Sequence, residues 1–322
     1  MTPRRTWGAR RGHSPVIHPE LATSVGTVDL DNPVMTASGT SGHGAELEEY
    51  FPLRQLGAVV VKSLSAEPWP GNPAPRLHEA GAAMLNSVGL QGPGVGAWLT
   101  DDLPKLQHAK ARVVVSIWGR TVDEYEKAAI ALAGASRDIV AVEVNLSCPN
   151  LEGGKHLFAQ STADTAAAIA AVSAAVDRPV WAKLTAHVTS IVEVAGAALG
   201  AGAEAVTVTN TMLALAIDPE TRRARLGAGG GGLSGPAIHP IAVRAVHDIH
   251  EGLPEAVIVG VGGVASGDDA VELLLAGASA VQVGTATFAD PRAPVRVLGE
   301  LSEWCRRHGV STVQDIIGGM DG

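Results

Sequence analysis

The sequence predicts an α/β protein folded as a single (β/α)8 barrel, with long loops after strands 2, 4 and 6. Short, nearly continuous runs of Val, Ile and Ala alternate with helix-forming stretches, as expected for strands buried on both faces of a parallel sheet. There are eight such runs. Amide, hydroxyl, thiol and ammonium side chains sit just beyond their ends, on the rim where such barrels carry their chemistry.

The expected strands are Pro33–Ala37, Ala58–Lys62, Arg112–Ile117, Ile139–Asn145, Pro179–Leu184, Ala205–Val208, Ala256–Val261 and Ala280–Val283. Thr121 and Glu124 form a capping box before a helix that runs to near Ala133. Ser161 and Asp164 open an Ala-rich helix to Val176, and Thr189 precedes one ending around Gly200 and Gly202. Ser266 and Asp269 open the next, which Gly277 can close in a left-handed turn. Pro291 to Arg307 reads as the last long helix, with the proline in its first turn. Alternation alone also admits an open, doubly wound sheet. The count of eight and the strand-end placement of the polar residues favour the barrel.

A length of 322 residues suits one large barrel or two ordinary domains. No linker, composition break or repeat beyond the β/α alternation divides the chain. Residues 28–322 therefore read as the barrel, and residues 1–27 as a flexible leader and the start of a hairpin beneath it. The leader carries Arg4, Arg5, Arg10 and Arg11, but no apolar stretch follows as a signal peptide requires. Residues 64–93 and 209–238 are long excursions after strands two and six, of the length that lids and binding loops have.

Composition narrows the function. Apolar residues make up 46% of the chain and aromatics 3%, so aliphatic and Ala-rich packing fills the core. A net charge of −9 disfavours a nucleic-acid partner. No apolar run approaches the ~20 residues of a membrane span. The two cysteines, Cys148 and Cys305, have neither metal-type nor disulfide spacing, so no metal is expected and a reducing cytoplasm fits.

Two Gly-rich segments, Gly260-Val-Gly-Gly-Val-Ala-Ser-Gly-Asp268 and Gln282-Val-Gly-Thr-Ala286, follow strands seven and eight. Loops there often hold a phosphate on backbone N–H groups, and Gly lets the backbone come close. Gly262, Gly263, Gly284 and Thr285 form the candidate cradle. Gly260 to Ala265 also fits a dinucleotide pattern, but it opens the seventh unit of a repeating array, with no acidic strand end about 20 residues on.

The segment Asn145-Leu-Ser-Cys-Pro-Asn150 packs two carboxamides, a hydroxyl and a thiol at the end of strand four. Carboxamides suit a planar, amide-rich ring. Cys148 can act as a base where its surroundings lower its pKa from ~8.5, and Pro149 stiffens the turn that aims it. Cys305, on the last helix, reads as a small buried hydrophobe. Lys62 and Lys183 end strands two and five, where an ammonium needs an anion, a polar cofactor or an internal ion pair. Asn86-Ser-Val-Gly-Leu90 and Thr209-Asn-Thr211 add polar groups from the two long loops.

Together with Asn32-Pro-Val-Met, Ala37-Ser-Gly-Thr40, Val61-Lys-Ser63, Gly71-Asn-Pro-Ala-Pro-Arg76, Ala216-Ile-Asp218 and Gly231-Gly-Leu-Ser-Gly-Pro236, these motifs resemble class 1 dihydroorotate dehydrogenase, in order and spacing from about residue 28 to the end. The resemblance implies FMN as cofactor and Cys148 as catalytic base, with Lys183 beside the flavin favouring the charge that develops on reduction. It places Thr40, Lys62, Ser63, Ser116, Asn145, Thr209 and Gly235 around FMN, and Gly262, Gly263, Gly284 and Thr285 on its phosphate. It gives the pyrimidine to Lys62, Asn86, Ser87, Val88, Gly89, Leu90, Asn145, Asn150, Asn210 and Thr211, under a loop from Leu151 to Ala159. It further implies a homodimeric core and, as the sequence looks closer to that type, a partner subunit carrying FAD and an iron–sulfur cluster.

The sequence departs from the family pattern at several places. Ser116, followed by Trp118, stands where Asn is frequent; Gly92 replaces an Asn; Ala186-His-Val188 replaces Pro-Asn-Val; Ala214 replaces a Gly and Thr36 a Pro. Three alternatives stay open: a flavoenzyme similar to dihydropyrimidine dehydrogenase acting on uracil-type rings, a dihydrouridine synthase, which the acidic charge disfavours, and a non-catalytic barrel that binds FMN or phosphate.

Overall fold

The structure, a computed structural model, describes residues 19–147 and 157–321. Its centre is a parallel sheet of strands β1 (Val34–Thr36), β2 (Val59–Val60), β3 (Val113–Ile117), β4 (Ile139–Asn145), β5 (Val180–Lys183), β6 (Ala205–Val208), β7 (Ile258–Val261) and β8 (Ala280–Val283). Each strand pairs with its sequence neighbour, and β8 pairs back onto β1. A parallel bridge between Met35 and Ala58 joins β1 to β2 and closes the ring. The barrel prediction is borne out.

The pleat sorts the side chains. One residue from each strand, namely Met35, Val60, Val114, Ala141, Trp181, Ala205, Val259 and Ala280, belongs to a buried cluster inside the barrel. A hairpin of Thr23–Val25 and Val28–Leu30, turned at Gly26, plugs the bottom with Val25, Val28 and Leu30. Side chains two residues further along a strand face the same way. That step brings Ser116, Glu143, Lys183, Thr207 and Gln282 inward, all buried, as a polar layer above the apolar one. The intervening residues, such as Val59, Val115, Val142, Val206 and Val281, pack outward on the helices.

The helices are α1 (Val95–Asp101), α2 (Leu103–His108), α3 (Val122–Ala131), α4 (Thr162–Ala175), α5 (Ile191–Gly200), α6 (His239–Gly252), α7 (Gly267–Leu275), α8 (Ala286–Ala289) and α9 (Ala293–His308). Thr121, Ser161 and Ser266 accept the expected N-terminal amide bonds, each worth ~1 kcal/mol. Two starts differ from expectation. Ser190, not Thr189, caps α5 through the Glu193 N–H. The last helix begins at Ala293 with Pro294 in its first turn; Pro291 precedes it, where Asp290 accepts from the Arg292 N–H and breaks the helix away from α8.

The two long excursions form one structure. Strands Leu77–Ala80 and Ala83–Asn86 from the first pair with Gly231–Ser234 and Met212–Ala214 from the second, giving a four-stranded antiparallel sheet. Gly232 sits opposite Asn86 in its register, so the loops after β2 and β6 are hydrogen-bonded together.

Candidate active site

The strand-end amides and hydroxyls converge on Asn145, the last residue of β4. Its Nδ2 donates to Ser63 Oγ (3.1 Å), beyond β2, and its Oδ1 accepts from Asn210 Nδ2 (3.1 Å), beyond β6. The Ser147 N–H also donates to Oδ1 (3.2 Å), and the Tyr125 hydroxyl of α3 donates to the Asn145 carbonyl (2.7 Å). Ser63 Oγ lies 2.9 Å from Ser116 Oγ and 3.2 Å from Ser38 Oγ. Thus Ser116, in the place of a common Asn, joins the same network.

The glycine segments meet this network from the other side. Gly262 (φ +135°) and Gly263 (φ +73°) hold conformations that side-chain-bearing residues rarely adopt. A Cβ on Gly262 would lie 3.6 Å from Thr209 Cγ2, and one on Gly284 would lie 3.7 Å from Thr40 Cγ2. Gly235 approaches Thr285 (3.6 Å from an added Cβ to Cγ2), and Gly39 approaches Lys62 Nζ (3.8 Å). Thr209 Oγ1 accepts from the Ala186 N–H (2.7 Å), fixing the end of β6 against β5. The Thr40 hydroxyl donates to Ala37 O (2.9 Å), and its carbonyl accepts from Thr287 (3.0 Å).

The Asn86 to Leu90 segment is held by its neighbours. Asn86 Nδ2 donates to Gly232 O (3.3 Å), and Thr211 packs directly on Gly232. Asn72 donates to the Ser87 carbonyl (3.2 Å), and its own N–H donates to the Val88 carbonyl (3.1 Å). Gly89 and Leu90 both have positive φ. Cys148 and Asn150 lie outside the described residues, as does most of the loop expected to cover the site.

Lys183 does not face an empty rim. Its Nζ is 3.4 Å from Glu143 Oε1 and 3.0 Å from Gln282 Oε1, while Gln282 Nε2 donates to Glu143 Oε2 (2.8 Å). The internal ion pair is therefore formed at this lysine. The sequence reading passed over both partners. The signal was present: Glu143 and Gln282 interrupt apolar strands at inward-facing positions. His43 was also missed. Its Nε2 lies 3.3 Å from where a Gly92 Cβ would be, so the Gly at that position leaves room for the imidazole. Burial, and then the charge of Lys62, lower the His43 pKa against the opposing pull of Asp102 and Glu46.

Among the described residues, buried side-chain atoms without a hydrogen-bond partner include Thr207 Oγ1, in the polar layer, Ser87 Oγ, Ser147 Oγ and His239 Nε2. Such atoms are rarely left unpaired in a native fold. A polar interior opening between glycine-only peptides and strand-end amides fits a flat, polar ligand with an anionic tail. Among the described residues no cluster could hold a metal. No described helix is long and apolar enough to cross a membrane.

The sequence profile of the family described as dihydroorotate dehydrogenase matches residues 20–304. The chain belongs to that family. Its members are flavin-dependent oxidoreductases acting on CH–CH donors. Dihydroorotate dehydrogenase B (NAD(+)), catalytic subunit, of Alkaliphilus oremlandii is 44% identical over 298 residues, covering 92% of this chain and 98% of the relative. The protein of the same name from Desulforudis audaxviator is 45% identical over 299 residues, with 93% and 97% covered. A relative from Solibacter usitatus, provisionally named dihydroorotate dehydrogenase A (fumarate), is 43% identical over 300 residues, with 93% and 98% covered. Similarity to the dihydroorotate dehydrogenases thus spans both acceptor types.

Proposed function

We propose that this chain is the FMN-binding catalytic subunit of a dihydroorotate dehydrogenase, oxidising dihydroorotate to orotate in pyrimidine biosynthesis. The observation that carries the reading is the Asn145 hub, which ties Ser63, Asn210 and the polar barrel interior into one amide-lined mouth beside glycine-only peptides.

Asn86 to Leu90, Asn145, Asn150, Asn210 and Thr211 hold the pyrimidine flat, matching its imide and carboxylate with carboxamides and backbone groups. Lys62 reaches both substrate and cofactor. Ser63, Ser116, Thr40, Thr209 and Gly235 line the ring system, and Gly262, Gly263, Gly284 and Thr285 take the phosphate. FMN held by these residues would supply the two-electron acceptor for the hydride that leaves C6 of the substrate. Cys148, as thiolate, takes the C5 proton; the C5–H and C6–H bonds break and the ring double bond forms. Lys183 would stand beside the ring and contribute positive charge, partly offset by Glu143.

The relatives named as NAD(+)-linked catalytic subunits favour a partner subunit; the family resemblance would equip it with FAD and an iron–sulfur cluster that pass electrons on to NAD+. A homodimeric core and a cytoplasmic location complete the proposal. The test is an anaerobic titration of the FMN-loaded protein with dihydroorotate and, separately, dihydrouracil. Stoichiometric bleaching of the flavin by dihydroorotate alone is expected. Bleaching by dihydrouracil alone supports an enzyme of uracil-type rings instead, and a protein that takes up no FMN contradicts the proposal.

A further inference from the structure

His239, the first residue of α6, is buried beneath the Gly262–Gly263 turn. Its Nδ1 lies 2.8 Å from the Gly262 carbonyl oxygen. A carbonyl only accepts, so Nδ1 carries the proton and donates. The other ring nitrogen, Nε2, makes no hydrogen bond among the described residues, although Glu272 Oε2 (3.2 Å) and Asp269 Oδ1 (3.8 Å) of α7 stand near it. Asp269 is itself fixed, because its Oδ2 accepts from the Ala265 and Ser266 N–H groups (2.9 and 2.8 Å) at the start of α7. The imidazole is thus held at its Nδ1 edge by the turn, with α7 standing against its other edge.

The consequence comes from peptide geometry. The Gly262 carbonyl and the Gly263 N–H belong to one trans peptide plane and point in opposite directions. A donor that holds the carbonyl on the α6 side therefore turns the Gly263 N–H the other way, away from His239. Among the described residues that N–H donates to no backbone or side-chain acceptor. Packing enforces the same placement: a Cβ on Gly263 would lie 2.6 Å from His239 Cβ and 2.9 Å from its Cα.

We infer that His239 is a positioning residue for phosphate recognition. It presets the Gly262–Gly263 peptide so that the Gly263 N–H faces the cofactor phosphate before the cofactor arrives. The inference rests on the FMN reading above and concerns only the phosphate end, not the ring chemistry. Preorganising a donor lowers the cost of binding the group it meets, so the effect falls on FMN and spares riboflavin, which has the same ring but no phosphate.

The test is a fluorescence titration of the apoprotein with FMN and with riboflavin, for the wild type and for His239→Ala, His239→Asn and His239→Gln. The wild type is expected to prefer FMN. His239→Ala should weaken FMN by about tenfold or more, equivalent to ~1.4 kcal/mol, with riboflavin affinity unchanged. Asn can place its amide N–H near the position of Nδ1, so His239→Asn should recover most of the preference; Gln reaches too far and should not. If His239→Ala does not fold, the contrast between Asn and Gln decides. An unchanged FMN-to-riboflavin ratio in both His239→Ala and His239→Gln, or equal losses for both ligands, overturns the assignment. A wild type with no preference for FMN overturns the underlying cofactor reading, which is a separate result.

Discussion

The side-chain amide of Asn210, just past β6, donates to Oδ1 of Asn145, at the end of β4, over 3.1 Å. Asn145 passes the connection on to Ser63 beyond β2. Three non-adjacent strands are therefore locked at one level of the mouth by one carboxamide. Replacing it with Asn145→Ala leaves Ser63 and Asn210 without that partner. At ~1 kcal/mol per hydrogen bond, a stability loss of about 2 kcal/mol is expected in urea denaturation. The KM for dihydroorotate should rise by about tenfold or more in steady-state assays. A variant with normal KM would place the substrate elsewhere.

Glu143 and Lys183 test the polar layer. Glu143 is fully buried, so Lys183→Met leaves its carboxylate with the Gln282 amide as its side-chain hydrogen-bond partner among the described residues. Breaking a buried pair from one side costs about 3–5 kcal/mol, whereas removing both charges often costs little. Lys183→Met alone should therefore lower the urea midpoint sharply, and Glu143→Gln with Lys183→Met should recover at least half of the loss. Equal midpoints for the single and double variants would mean that the pair does not carry this energy.

Much of this was legible in the sequence because both barrel faces are buried. A strand covered on both sides reads as an unbroken aliphatic run, so Ile139–Asn145, Ala205–Val208 and Ala280–Val283 are found at their expected bounds. Strand two is shorter than expected, ending at Val60, which leaves Lys62 on the rim beyond it. The four-stranded sheet was not legible. Pairing Asn86 with Gly232 joins segments far apart in sequence, and neither carries a hairpin signal that names the other. The Glu143–Gln282 contact was hidden for a related reason: each is one polar residue in an apolar run, and only barrel closure brings the two together.

His43 gives a pH dependence with a definite sign. Burial, followed by the charge of Lys62, holds its pKa below the ordinary ~6.5. As pH falls, the unfolded chain therefore takes up this proton before the folded protein does. The contribution to stability is complete above pH ~6.5 and is lost as pH falls through the window beneath it. Urea midpoints measured at about pH 7.5 and 5.5 should show a smaller decline in His43→Gln than in the wild type. Identical declines would exclude His43 as the group responsible.

Tyr125 reports on how the mouth is braced from outside the barrel. Its hydroxyl is buried and donates to the Asn145 carbonyl over 2.7 Å, while its ring meets Phe158 edge-to-face at 5.1 Å. Tyr125→Phe keeps the ring contact and strips the carbonyl of that donor. A loss of about 1–2 kcal/mol in stability is expected, with a moderate rise in KM as Asn145 loosens. Unchanged stability would mean that water replaces the hydroxyl at no cost.

The central claim is that dihydroorotate is deprotonated by Cys148 as its hydride passes to the flavin, and stopped-flow reduction of the FMN-loaded protein by dihydroorotate without oxygen tests it most directly. The account predicts rapid bleaching in the wild type. It predicts full FMN occupancy with bleaching slowed by orders of magnitude in Cys148→Ala and Cys148→Ser. Wild-type reduction rates in either variant would contradict it.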